Sequence, residues 1–197
     1  MLKCKSIVAG FLIGLGVIIN TLAASPILGA GLFSFGLLMI IDLQLPLYTG
    51  QIGFISQRKK IDLLNILIYN FIGIFICVYS FAIVNQNFYI TLYEKAISKF
   101  DKTYLQMFVC GFICGTLIHF AVKSKKQLMT VMAVMIFILI GAEHCIADFP
   151  YYIININLTN TIKMLLVILG NSCGAIFIEK LLTKGSDSNA VCGTHEE

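Results

Sequence analysis

Three ionisable side chains lie within a stretch of sequence that is otherwise apolar. Glu143, His144 and Asp148 follow an apolar run that begins at Val131. An ionisable group at membrane depth is costly, so it faces a polar path or partner rather than lipid. Histidine titrates near neutral pH and can donate a hydrogen bond to a solute. The motif therefore predicts a site where a polar solute crosses a membrane, with His144 at its centre.

Six apolar segments are long enough to position this motif in a bilayer. The chain is 58% hydrophobic and 12% charged. The segments cover about 6–24, 27–47, 63–84, 104–122, 128–149 and 162–182. Each is close to the ~20 residues that span a ~30 Å hydrocarbon core. We expect an all-α membrane protein in which residues 1–184 form a single channel domain of six transmembrane helices.

The distribution of positive charge predicts the orientation. Of the 14 Lys and Arg residues, ten fall on the cytoplasmic side if the N-terminus is cytoplasmic. Those ten are Lys3, Lys5, Arg58, Lys59, Lys60, Lys123, Lys125, Lys126, Lys180 and Lys184. By the positive-inside rule, this favours a multi-pass protein of the cytoplasmic (inner) membrane with both termini cytoplasmic. The net charge of +4 then reflects topology, and we predict no nucleic-acid partner. The polar segment 185–197 is predicted to be a disordered cytoplasmic tail.

The chain contains an internal repeat with an offset of about one hundred residues. A Gly-x-x-x-Gly motif and an Asn-x-x-Gly motif both recur at this offset. They occur at Gly10, Gly14, Asn70 and Gly73, and again at Gly111, Gly115, Asn171 and Gly174. A glycine pair alone is more typical of simple close helix packing. The shared offset of both motifs favours two related halves, about 6–84 and 104–182.

The middle span of each half is interrupted. Segment 45–51, Leu-Pro-Leu-Tyr-Thr-Gly-Gln, ends the second span, and segment 143–150 interrupts the fifth span and ends in proline. Irregular backbone at membrane depth is tolerated where it is buried in protein or lines a cavity. Since each half has three spans, the second half must be inverted. Inverted repeats with matching breaks predict a substrate path near the midplane.

Three short segments resemble the formate/nitrite transporters. Segment 47–50, Leu-Tyr-Thr-Gly, is similar to the family's Leu-Phe-Thr-Gly. Segment 141–148, Gly-Ala-Glu-His-Cys-Ile-Ala-Asp, is similar to its Gly-Phe-Glu-His-Ser-Ile-Ala-Asn. Segment 169–174 resembles its Leu-Gly-Asn-x-x-Gly. The resemblance implies a homopentamer of aquaporin-like protomers, each with six helices of which the second and fifth are broken.

The resemblance also implies roles for individual residues along a path. Phe33 and Phe137 would form an outer apolar constriction, and Leu37 and Leu47 an inner one. Lys99 would be the vestibule lysine, and His144 with Thr49 would lie at the centre of the path. The supporting residues are Glu143, Asp148, Asn171, Gly115 and His119. Two of these depart from the family pattern, because Gly115 and Asp148 stand where asparagine is usual.

Several of these residues also have an ordinary structural interpretation. The hydroxyl of Thr49 can bind a solute or stabilise a turn. Lys99 can attract anions or be a solvated lysine. We interpret Glu143 as a hydrogen-bonding brace to the broken segments rather than a second pore group. His119 and Asp42 can each make a polar contact between helices.

The function that the resemblance implies is a channel or transporter for a small monovalent anion or its weak acid, of the formate, nitrite or hydrosulfide type. One alternative is an aquaporin-like channel for a small neutral solute or gas. Another is a small membrane metal protein or enzyme that uses His119, His144 and some of the seven cysteines. Intramembrane cysteine usually behaves as a small hydrophobe. We therefore predict no enzyme activity, no metal and no cofactor.

Overall fold

The computed structural model describes residues 2–57 and 59–192, and every regular element in this part of the chain is helical. Within these residues, nine α-helices and one 3-10 helix follow one another. They are α1 (Leu2–Leu22), α2 (Pro26–Asp42), α3 (Tyr48–Gln51), the 3-10 helix (Ile52–Gln57), α4 (Lys60–Val84), α5 (Gln86–Lys99), α6 (Tyr104–Ser124), α7 (Gln127–Leu139), α8 (Cys145–Ile154) and α9 (Leu158–Cys192). Arg58 and residues 193–197, which belong to the charge count and the predicted tail, lie outside the described residues.

Local sequence explains where several of these helices begin. The hydroxyl of Ser25 accepts a hydrogen bond from the amide of Leu28 at 3.3 Å, and Pro26 occupies the first position of α2. Both residue types favour a helix N-terminus, since serine satisfies a free amide and proline lacks one. A capping box formed by Thr103 and Gln106 starts α6.

Two helical segments are broken, in the second and fifth of the predicted spans. α2 ends at Asp42 and α3 begins at Tyr48, while α7 ends at Leu139 and α8 begins at Cys145. Gly141 has a φ of +69° in the second break. This conformation is strained for side chains with a Cβ and free of strain for glycine. The interruptions predicted from Pro46 and from the ionisable motif are therefore present as gaps in the helices.

Glycine allows two pairs of helices to pack with their backbones in contact. α1 packs against α4, and α6 packs against α9. A Cβ placed on Gly10 would lie 2.0 Å from the carbonyl oxygen of Asn70, and one on Gly115 would lie 2.1 Å from that of Asn171. Helices in lipid associate largely through such close approach. The repeated glycines therefore set the distance between the helices that hold the breaks.

Four helices are long and apolar enough to cross a membrane: Leu2–Leu22, Lys60–Val84, Tyr104–Ser124 and Leu158–Lys184. The shorter apolar helices are Pro26–Asp42, Gln127–Leu139 and Cys145–Ile154, which are the pieces of the interrupted segments. Many large apolar side chains on these helices are exposed on the surface of the single chain. Such a surface is typical of a protein that lies in lipid.

Two features differ in extent from the sequence-based description. The connection between the third and fourth spans contains α5, a helix of 14 residues, which was not predicted. Its start is fixed by Asn85, whose side chain accepts from the amide of Phe88 at 2.9 Å. α9 runs from Leu158 to Cys192, and the predicted disorder of 185–197 stays a prediction.

Candidate functional site

His144 lies at the start of α8 and is bonded through both ring nitrogens. Its Nδ1 accepts a hydrogen bond from the amide of Ala147 at 3.1 Å, which caps the helix. Its Nε2 lies 2.9 Å from Oγ1 of Thr49. Because Nδ1 accepts, the neutral ring carries its hydrogen on Nε2 and donates it to Thr49. The Thr49 hydroxyl hydrogen is then available to another acceptor.

The backbone on both sides of His144 is held by Asn171 of α9. The Nδ2 of Asn171 donates to the carbonyl oxygens of Glu143 and Gly111, each at 2.8 Å. Its Oδ1 accepts from the amide of Cys145 at 2.8 Å. All three bonds are buried, and a buried backbone group without a partner is costly. Asn171 therefore stabilises the break that presents His144.

Asn70 of α4 holds the other break in the same manner. Its Nδ2 donates to the carbonyl oxygens of Ser6 at 2.8 Å and Pro46 at 3.0 Å, and its Oδ1 accepts from the amide of Tyr48 at 2.9 Å. These bonds flank Leu47, as those of Asn171 flank His144. Asn70 was not among the predicted site residues, although the repeated Asn-x-x-Gly motif already marked it.

Beside His144 is a small cavity of about 100 Å³, which we call the aromatic cavity. Phe33 and Phe137 line it and contact each other edge to face, with ring centroids 6.0 Å apart. The ring of Phe137 also lies 5.9 Å from that of His144. The remaining polar lining consists of Lys99, Asp148, Asn20 and Tyr151. The structure thus brings together the predicted outer constriction, the histidine and the vestibule lysine.

A second and larger cavity, of about 520 Å³, is lined by Leu37 and Leu47; we call it the wide cavity. Gly50, next to Thr49, also lines it. Asp42 and Lys125 supply its charged side chains. The two predicted leucines therefore lie together on a different cavity from the two phenylalanines. Thr49 itself is fully buried and lines neither cavity.

The charged residues near the aromatic cavity form a cluster of two lysines and two carboxylates. Glu143 pairs with both Lys99 and Lys102 through its two carboxylate oxygens. The Nζ of Lys99 also lies 2.9 Å from Oδ1 of Asp148. The cluster is therefore electrically balanced when all four groups are ionised. Lys99, predicted to attract anions, is bound to two carboxylates, and the Glu143 side chain is an ion-pair partner.

Two supporting residues lie apart from both cavities. His119 is fully buried in α6, and its Nε2 lies 2.7 Å from Oε2 of Glu179, which also binds Lys123 at 2.6 Å. This pairing joins α6 to α9, as a polar contact between helices. Gly115 lies against the backbone of Asn171, so the asparagine usual in the family has no room at this position.

The arrangement can select and hydrogen-bond a small solute. It combines apolar rings, a fixed His–Thr pair and balanced charge beside a cavity. Among the described residues, no group of three or more His, Cys, Asp and Glu side chains is placed to bind a metal ion.

Comparisons with known proteins identify the family and the fold. The family model described as formate/nitrite transporter matches residues 1–184. A solved structure, a pentameric formate channel with formate bound, is similar with a TM-score of 0.77 at 21% identity, covering 92% of this chain and 94% of that one. An FNT family ion channel is similar with a TM-score of 0.76 at 19% identity, covering 94% and 89%. No curated protein sequence matches the chain.

These similar proteins are channels and transporters rather than enzymes, and their fold is shared over almost the whole length of this chain. The motifs at 47–50, 141–148 and 169–174 lie within the matched region. The all-helical, apolar chain is a membrane protein, and it belongs to the formate/nitrite transporter family.

Proposed function

We propose that residues 1–184 form a channel domain of six spans in two inverted halves. Two observations support this: Asn70 and Asn171 make matching sets of hydrogen bonds, and each lies against a glycine, Gly10 and Gly115, although the sequence repeat pairs Gly10 with Gly111. α2 with α3, and α7 with α8, are then the broken second and fifth spans. We also propose a homopentamer in the cytoplasmic membrane with both termini cytoplasmic. The pentameric formate channel and the positive-inside count support that assembly and orientation.

We propose that this domain conducts a small monovalent anion or its weak acid, of the formate, nitrite or hydrosulfide type. The observation that carries the proposal is the bond between His144 Nε2 and Thr49 Oγ1, beside the aromatic cavity. Apolar rings oppose a bare ion because its desolvation is costly. The free hydroxyl hydrogen of Thr49 donates to the solute where water is excluded, and His144 keeps that hydroxyl in position.

One observation also favours a small neutral solute. The two lysines and two carboxylates beside the aromatic cavity sum to zero charge, so they supply no net attraction for an anion. A protonated weak acid carries no net charge, like a gas or a neutral amide, and so needs no net positive charge to attract it. Transport of the acid form therefore reconciles the family with the charge balance.

The decisive experiment is a flux assay in liposomes that contain the purified protein. Formate, nitrite, hydrosulfide, acetate and urea are compared at several pH values. We expect the three small anions to move faster than acetate, and urea not to move. Rapid urea flux without anion flux would replace this proposal with the neutral-solute channel.

Variants of the His–Thr pair test the site itself. Replacing His144 by Phe removes the group that keeps the Thr49 hydroxyl in position, so a buried hydrogen bond to the solute is lost, which costs roughly 1–3 kcal/mol. Formate flux should then fall about tenfold or more, since ~1.4 kcal/mol is a factor of ten. Thr49→Val should act in the same direction. Thr130→Val is the matched control, because Thr130 is also buried but donates to Lys126 O within its own helix at 3.3 Å.

Wild-type flux in both His144→Phe and Thr49→Val, with the oligomer intact by size-exclusion chromatography, would show that the pair is structural only. An equal loss of formate flux in Thr130→Val would show that removing any buried hydroxyl lowers flux. The argument for this site would then fail.

A further inference from the structure

Asp148 has a buried oxygen without a partner among the described residues. Its Oδ1 binds Lys99 at 2.9 Å, whereas its Oδ2 makes no hydrogen bond. The neighbouring titratable groups are occupied: both ring nitrogens of His144 are bonded, and each carboxylate oxygen of Glu143 contacts a lysine. Of the three ionisable groups in this motif, Asp148 has the atom that is free to bind a proton.

Charge balance requires such a proton when an anion enters. The cluster of Lys99, Lys102, Glu143 and Asp148 is neutral when fully ionised. A monovalent anion in the aromatic cavity brings the total to one negative charge, and burying an uncompensated charge is costly. Uptake of one proton restores neutrality. Anion entry and proton binding are therefore linked through this cavity.

We propose that Asp148 binds the proton that accompanies the anion and transfers it from Oδ2 to the anion in the aromatic cavity. The Oδ2–H bond breaks, and its electron pair remains on the Asp148 carboxylate. A new O–H or S–H bond forms on the anion, which continues as the neutral acid. Lys99 stabilises the carboxylate, and a hydronium ion from the outer solution returns a proton to it and leaves water. This inference rests on the proposed function and names the form in which the substrate crosses.

The surroundings of Asp148 fit this role. The charged and titratable groups that interact with it come from α5, α6, the second break and α8. They are Lys99, Cys114, Glu143, Cys145 and Tyr151, with His144 on the same cavity. The Lys99 side chain is 23% exposed, so the cluster has a route to water. Asparagine, usual in the family at this position, can bind Lys99 but cannot carry the proton.

The test uses full-length protein in liposomes with formate as the probe. Formate uptake, luminal pH and membrane current are recorded for wild type, Asp148→Asn and Asp101→Asn. Asp101 is the matched control, because it is an exposed carboxylate that lines neither cavity. Wild type and the control should carry one proton per formate without current. Their uptake should fall up to about tenfold for each unit of rising pH, as for a single titrating group.

In Asp148→Asn the number of protons moved per formate should fall at least tenfold. Formate should then cross as a current that varies little with pH. Two results would overturn the proposal: wild-type protein that moves formate without protons, or Asp148→Asn that keeps one proton per formate. If Asp148→Asn does not assemble, Asp148→Ser is judged by the same criteria. Infrared difference spectra of wild type provide a measurement without any variant. Formate should add a protonated carboxyl band that the free protein lacks, and the absence of such a band would refute the linked proton uptake.

The two proposals fail in different ways. Wild-type protein that conducts urea and none of the anions would overturn the proposed function together with this inference. Anion flux that remains coupled in Asp148→Asn would overturn the role of Asp148 alone.

Discussion

Asn171→Ala should destabilise the protein and disturb His144 at the same time. The amide of Asn171 binds the carbonyl oxygen of Glu143 and the amide of Cys145, which flank His144, and also Gly111 O. The first amide of a helix has no partner within that helix. Cys145 N is such an amide, and Glu143 O precedes the helix. Alanine therefore leaves two buried backbone groups unpaired.

The magnitude follows from these two groups. An unpaired buried polar group costs about 1–3 kcal/mol, so the pair gives roughly 2–6 kcal/mol. Hydrogen bonds between membrane helices average only ~0.6 kcal/mol, because the separated helices find other partners. The cost of roughly 2–6 kcal/mol applies here rather than the average for helix pairs, because irregular backbone at this depth has no helical alternative. A loss of 2 kcal/mol corresponds to a fall in Tm of about 4 °C or more.

Thermal unfolding of the purified protein and formate flux in liposomes are measured together. Asn160→Ala is the control, because Asn160 is also a buried asparagine of α9, but its side chain donates to Asn155 O, at 2.7 Å, and not to the break at His144. Asn70→Ala should lower Tm about as much as Asn171→Ala, since it makes the same three types of bond. A Tm within 1 °C of wild type (well below the ~4 °C expected) together with normal flux in Asn171→Ala would refute this reasoning.

Two further changes have defined outcomes. Gly115→Ala should prevent normal packing of α6 on α9 and reduce assembled protein, because its Cβ would lie 2.1 Å from Asn171 O. Gly31→Ala is the control, because no atom lies within 4 Å of the added Cβ, and it should assemble normally. Equal yields of assembled Gly115→Ala and Gly31→Ala protein would contradict the packing argument. Phe137→Ala should widen the aromatic cavity and raise acetate flux relative to formate, because it removes the ring that contacts Phe33. An unchanged acetate-to-formate ratio would show that this ring does not limit the path.

Local sequence predicted much of the architecture. Long apolar segments, a proline and an ionisable motif indicated helices with two interruptions, and the helices contain both. The resemblance carried by the segments around Thr49 and His144 is confirmed by the family match. These predictions succeed because apolar length and helix breaking depend on residues close in sequence. α5 was missed because the 86–99 segment is short and mixed in polarity.

The functional contacts depend on positions far apart in the chain. Thr49 and His144 are 95 residues apart in sequence and are bonded across the two breaks. Sequence marked both residues, but it did not indicate that His144 caps α8 and so keeps its hydrogen on Nε2. Nor did it indicate that Lys99 and Lys102 both bind Glu143. Such pairs arise from the docking of whole helices.

By itself the sequence determined the chemical groups of this protein and the points where its helices end. Glycine spacing, the repeated asparagines and the ionisable motif are local properties that residue type and order define. The tertiary structure alone decided which groups are paired and which buried atoms of the described residues remain unpaired, namely His119 Nδ1 and Asp148 Oδ2. α6 and α9 approach until Gly115 meets the backbone of Asn171, whose side chain in turn binds the carbonyl oxygen of Glu143. The ion pairs of Glu143 and the unpaired Oδ2 of Asp148 depend on distances that no linear pattern specifies.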